Sequence, residues 1–172
     1  MFRRLAVAGA LVLAMLGVAA PASAASTEVL SVRGAGPYRI GAGQQALADA
    51  GLLTGIAAQP GCPIVRAGAT GDWAGKILLA FRNGRLAEVG TATVPPRSPS
   101  GASVGMSWAE LESIYGRRGH LIHNDAGDPA YVVRKGARVE LFTGHPIRAG
   151  AGYFQTGPAN FLLPNFRHGA PC

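Results

Sequence analysis

Two short stretches carry residue types that do chemistry. Gly101-Ala102-Ser103-Val104-Gly105 matches the G-x-S-x-G pattern of a nucleophile elbow, where a buried strand delivers a serine to the start of a helix. Asp125 or Asp128 and then His145 or His168 follow in the order hydrolases of that kind use. A helix does follow Ser103, but a proline-rich segment replaces the strand before it, so the serine reads as an ordinary turn position. The second stretch is His120-Leu121-Ile122-His123, followed by Asp125 and Asp128. On a helix, His-x-x-His turns both rings toward one metal; on a strand, a spacing of three sends them to opposite faces. Asn124 to Pro129 reads better as turn chemistry, with Asx side chains bonding their own backbone. It also lacks the full calcium-loop pattern. No catalytic residue, metal site or cofactor is assigned. A small hydrolase using Ser103 or the His120/His123 cluster stands as an alternative.

Recognition chemistry is carried by aromatics and arginines on glycine-rich connections. Trp73 lies between Asp72 and Gly75, Arg82 and Arg85 flank an Asn83-Gly84 turn, and Tyr153-Phe154 follow Gly150-Ala151-Gly152. Trp, Tyr and Arg dominate interface hot spots, which makes Trp73, Arg82, Arg85, Tyr153 and Phe154 the candidate binding set. For Trp73 and the Tyr153-Phe154 pair the competing reading is packing under a long loop. No phosphate-binding loop or dinucleotide fingerprint is present.

The chain has 172 residues, 17.6 kDa and a formal net charge of +7. Met1-Phe2-Arg3-Arg4, the uncharged apolar run Leu5–Ala20 and the small-residue site Pro21–Ala24 together read as a secretory signal peptide over 1–24. The apolar run is shorter than the ~20 residues of a spanning helix, so cleavage, secretion to the extracellular space and no stable membrane insertion are expected. Losing Arg3 and Arg4 lowers the net charge from +7 to +5. The remaining arginines are dispersed, as GC-rich coding alone would give, and form no run of the kind that marks a nucleic-acid patch. Affinity for an anionic surface or acidic partner is the functional counterpart. The length excludes a barrel of about 250 residues. Cys62 and Cys172 are the only cysteines, and export to an oxidising compartment predicts a disulfide between them.

The elements that must position these residues come from pattern. Strand-like pieces are expected at 27–33 and 38–40, a helix over 44–50 stopped by Gly51, and a loop through Pro60–Pro63. The Asn-Gly pair predicts a type I′ hairpin between strands 76–81 and 86–94. Val94-Pro95-Pro96-Arg97-Ser98-Pro99-Ser100-Gly101 breaks regular structure. Ser107-Trp108-Ala109-Glu110 is a capping box, and Trp108, Leu111, Ile114 and Tyr115 give that helix an apolar face up to Gly116. Strands follow at 120–123, 131–134 and 138–142, with further edge strands at 147–154 and 161–163. The order of elements repeats. A shift of 64 places Ile40-Gly41 on Val104-Gly105 and Leu47 on Leu111, and a shift of 61 places Phe81 on Phe142.

Gly105-Met106-Ser107, then Leu111 and Gly116, resembles the helix lead-in of small outer-membrane lipoproteins of the SmpA/OmlA kind. It also resembles that of tandem-repeat secreted proteins of actinobacteria related to the β-lactamase inhibitory protein. The resemblance implies an α+β fold of two similar halves, each one or two short helices packed on a small antiparallel sheet. The expected division is 1–24 signal peptide, 25–94 first half, 95–101 linker and 102–172 second half. The expected function is a secreted, non-enzymatic protein-binding module, such as an inhibitor or envelope-associated factor. Its partner would be another secreted or envelope protein rather than nucleic acid. A cationic binder of cell wall or anionic polymer is a further alternative.

Overall fold

The computed structural model describes residues 28–169. The signal peptide and Cys172 lie outside them. The fold is α+β. Its centre is one eight-stranded antiparallel sheet in the order β3-β4-β5-β6-β10-β9-β8-β7. A first meander comprises β3 (Leu53–Ala58), β4 (Ile64–Ala69), β5 (Leu78–Arg82) and β6 (Arg85–Thr91). A second comprises β7 (Gly119–His123), β8 (Pro129–Lys135), β9 (Arg138–Gly144) and β10 (Ala151–Pro158). The two join last strand to last strand, with Gln155 opposite Gly90 and Thr156 opposite Val89. A separate two-stranded sheet pairs β1 (Gly34–Ala35) with β2 (Tyr38–Arg39). No described helix is long and apolar enough to cross a membrane.

Alternation along the strands makes two apolar faces, and a different set of elements covers each. One face presents Leu79, Phe81, Val89, Tyr131, Val133, Phe142 and Phe154 to Leu47 of α1 (Gln44–Asp49) and to Leu111 and Tyr115 of α2 (Trp108–Tyr115). The other presents Ile64, Ala80, Val132 and Leu141 to Phe161, Leu162 and Leu163 of α3 (Ala159–His168). β8 and β9 are covered on both sides, so each buries four consecutive residues, Ala130 to Val133 and Val139 to Phe142.

Local chemistry explains the well-marked elements. Asn83 at φ 52° and Gly84 at φ 70° make the β5–β6 turn, as the Asn-Gly pair requires. Ser107 caps α2. Its hydroxyl accepts from the Glu110 amide at 3.3 Å, and the Glu110 carboxylate accepts from the Ser107 amide at 2.7 Å. Those bonds hold the Glu110 carboxyl below its usual range. The proline-rich segment is pinned rather than loose. The Leu30 amide donates to the Arg97 carbonyl, the Arg97 amide donates to the Glu28 carbonyl, and buried Ser98 accepts from the Ala102 amide at 3.1 Å.

Several expectations change. Phe161-Leu162-Leu163 lies in α3, not in an edge strand, because two turns of helix bring Ala159, Phe161, Leu162 and Leu163 onto the sheet together. The expected strand at 147–154 begins only at Ala151, with Ile147 84% exposed. The loop through Pro60–Pro63 is present, and it joins β3 to β4, two strands the pattern did not show because their small residues (Gly55, Ala57, Ala58, Ala67, Gly68, Ala69) hide the period-two signal.

Candidate functional site

The notable hollows among the described residues all border α3. That helix has no side-chain N-cap; the first amide, at Ala159, donates to the Ala137 carbonyl in the β8–β9 turn at 2.9 Å. The contact sets the start of α3 beside the arginines of that hairpin. A hollow of about 800 Å³ is lined by Arg134, Arg138, Arg167 and His168 together with Ala137 and Leu163. A second, of about 360 Å³, continues from it through Arg138, Pro158 and Asn160 to Arg82 and Arg85. Neither is lined by a carboxylate. Among the described residues, none of these arginines is in an ion pair; His168 alone bonds an acid, Asp125, at 2.7 Å. Arg82 lies 5.8 Å from the centre of the Phe161 ring, Arg85 donates to the Gly41 carbonyl at 3.1 Å, and Arg138 to the Val32 carbonyl at 3.2 Å. These bonds aim the guanidinium groups without neutralising them.

The five candidate binding residues do not share one place. Arg82 and Arg85 join this belt. Tyr153 lies on the same sheet face, beneath α3, where its hydroxyl donates to Glu88 at 3.0 Å. Burial raises the Tyr153 phenol well above its ordinary value, and the neighbouring Glu88 adds to it. Phe154 is one strand position away and therefore on the opposite face, fully buried and stacked on Phe142 at 4.3 Å. It is a core residue and offers no surface to a partner. Trp73 sits half-buried in a 3-10 turn against the α1/α2-face core, with Gly36 packed over its indole.

Of the catalytic alternatives only Asp125 and His168 meet among the described residues, as an exposed pair at 2.7 Å with no bond to Ser103. Buried Ser103 accepts from the Arg97 guanidinium at 3.3 Å, and no general base bonds it among the described residues. His120 and His123 are exposed on β7, an odd number of positions apart. Asn124 makes the expected Asx turn, its Oδ1 accepting from the Ala126 amide at 3.0 Å and the Asp128 amide at 2.7 Å. Among the described residues no group of three or more His, Cys, Asp or Glu could hold a metal ion.

Sequence reading missed Arg134, Arg138 and Arg167 and took His168 only as a triad candidate; the α3 docking alone brings them to Arg82 and Arg85. It also missed Glu88, although a carboxylate between Ala87 and Val89 in an apolar strand is a readable signal. Compared with known protein families, curated proteins and solved structures, the chain finds no match.

Proposed function

We propose that this is a secreted, non-enzymatic binding module that holds an anionic partner on the arginine belt around α3. The observation that carries the reading is the belt itself. Arg82, Arg85, Arg134, Arg138, Arg167 and His168 line two joined hollows with no carboxylate among them. Guanidinium groups held by one backbone bond or one ring contact keep donors free for carboxylate, sulfate or phosphate. The dispersed charge of the sequence thus acquires a direction.

We also read the two meanders as a duplicated unit. In support, α1 begins at Gln44 and α2 at Trp108, each helix precedes a four-strand meander, and the strand order is palindromic about the β6–β10 seam.

Salt-dependent retention of the mature protein on immobilised heparin, a generic polyanion, tests the belt. Arg134→Glu with Arg167→Glu should weaken retention at least about tenfold, since each reversal replaces attraction with repulsion at contact range. Arg39→Glu with Arg117→Glu changes net charge equally on exposed sites outside both hollows and should alter it little. Equal losses in both pairs would mean that net charge alone acts, and would sink the site.

A further inference from the structure

Beneath α3, on the same sheet face but apart from the belt, lies a cavity of about 310 Å³. That is the size of a small-ligand pocket. Its floor is made of small residues. Ala80 separates Arg66 on β4 from Glu88 on β6 in one cross-strand row, and Gly90 stands opposite Gln155 in the next. A Cβ on Gly90 would strike the Tyr153 hydroxyl, so glycine there lets that hydroxyl cross to Glu88. The roof is Phe161, Leu162 and Phe166 of α3, and Leu78, 56% exposed, stands at the mouth beside exposed Arg66.

The polar groups around this apolar cavity have unused bonding capacity. Glu88 accepts from Tyr153 through Oε1 only, and Arg66, Gln155 and Asn165 make no side-chain hydrogen bond among the described residues. Arg66 and Glu88 spring from strands two apart, about 10 Å at the backbone, and form no ion pair. Opposite charges thus face each other across Ala80 with a gap between them. Burial pushes the Glu88 carboxyl above its usual range, against the opposing pull of the Tyr153 hydroxyl and Arg66. A cation reaching it would relieve that cost. Arg66, exposed and in no ion pair among the described residues, offers an anionic group on the same ligand a charge-assisted contact, whereas an anion alone would leave Glu88 without a cation.

We infer that this cavity binds a small zwitterion with an apolar side chain, an α-amino acid. Its carboxylate meets Arg66, its ammonium meets Glu88 with the Gln155 amide, and its side chain lies against Phe161, Leu162 and Phe166. The inference is independent of the belt.

Calorimetric titration of the mature full chain with L-leucine and with L-phenylalanine tests it. Saturable binding is expected, with isoamylamine and 4-methylpentanoate, each lacking one charged group of leucine, weaker by at least about tenfold. Glu88→Gln keeps an acceptor for Tyr153 and should weaken leucine by a similar factor, as should Arg66→Met. Circular dichroism confirms that each variant is folded; should Glu88→Gln not fold, Arg66→Met, at an exposed position, decides. Arg134→Glu with Arg167→Glu should bind leucine like the parent, which keeps failure here distinct from failure of the belt. The inference is overturned if neither amino acid binds at millimolar concentration. It is equally overturned if the singly charged analogues or a neutral hexose bind as well as leucine, or if a folded Arg66→Met variant loses nothing.

Discussion

Two tyrosines on the α2 face show how much a single hydroxyl decides. Tyr115 donates to the fully buried Glu140 at 2.6 Å and lies 2.7 Å from Ser98, while Lys135 donates to the other Glu140 oxygen at 2.7 Å. The cluster locks helix, sheet and proline-rich segment together. Tyr131, whose ring centre is 6.1 Å from that of Tyr115, buries its hydroxyl without a partner among the described residues. Tyr115→Phe should cost about 1.5–3 kcal/mol, the range for a hydrogen bond to a charged group, whereas Tyr131→Phe should be neutral or slightly stabilising. Urea unfolding of the two variants checks the ordering. Burial, then the bond and charge of Glu140, raises the Tyr115 phenol above its ordinary value. Above pH ~10 the unfolded chain therefore loses this proton while the folded one keeps it. Stability should fall as pH climbs past that point, and less steeply in Tyr115→Phe. A parent and variant with the same alkaline slope would contradict this.

At the scale of elements, the α2 cap and the β6–β10 seam carry the sharpest expectations. Ser107→Ala removes the acceptor for the Glu110 amide and should cost about 0.5–2 kcal/mol. Ser103→Ala should cost less, because Arg97 also reaches the Gly101 carbonyl at 3.3 Å. Denaturation midpoints with unchanged slopes would give that ranking. Gly157 faces the seam, where an added Cβ would fall 2.2 Å from the Ala87 carbonyl oxygen; at Gly144 the nearest atom would be 3.6 Å away. Gly157→Ala should therefore destabilise by about 1–3 kcal/mol and Gly144→Ala by much less. Melting curves that rank them the other way would refute the seam as drawn.

The whole molecule depends on how its C-terminal end is held. Half-buried Cys62 precedes β4 and packs against the cluster that contains α3. Cys172 follows α3 in sequence but lies outside the described residues. We propose that the two form a disulfide that ties the end of α3 to the first meander. Native secreted protein should then take up no alkylating reagent until it is reduced and unfolded. Cys62→Ala with Cys172→Ala should lose about 2–4 kcal/mol, read by chemical unfolding. Two alkyl groups on the native protein would exclude the bond.

Local chemistry was legible in the residues alone. Asn83-Gly84, Ser107 with Glu110, and the Asx turn at Asn124 each involve partners within four positions, so no tertiary information is needed to place them. The α+β class was legible for the same reason, since period and punctuation are short-range. What the chain order could not show is which distant segments share a face. Phe154 read as a surface anchor because its glycine-rich approach resembles a loop; pairing of β10 with both β6 and β9 makes it core. Arg134, Arg138 and Arg167 meet Arg82, and Arg66 faces Glu88 across Ala80, only once sheet register and the docking of α3 are known. Those juxtapositions rest on long-range burial of apolar area, which is nearly indifferent to order along the chain. The side chains that could bind were therefore visible in the sequence, and the tertiary structure alone decided which of them stand together.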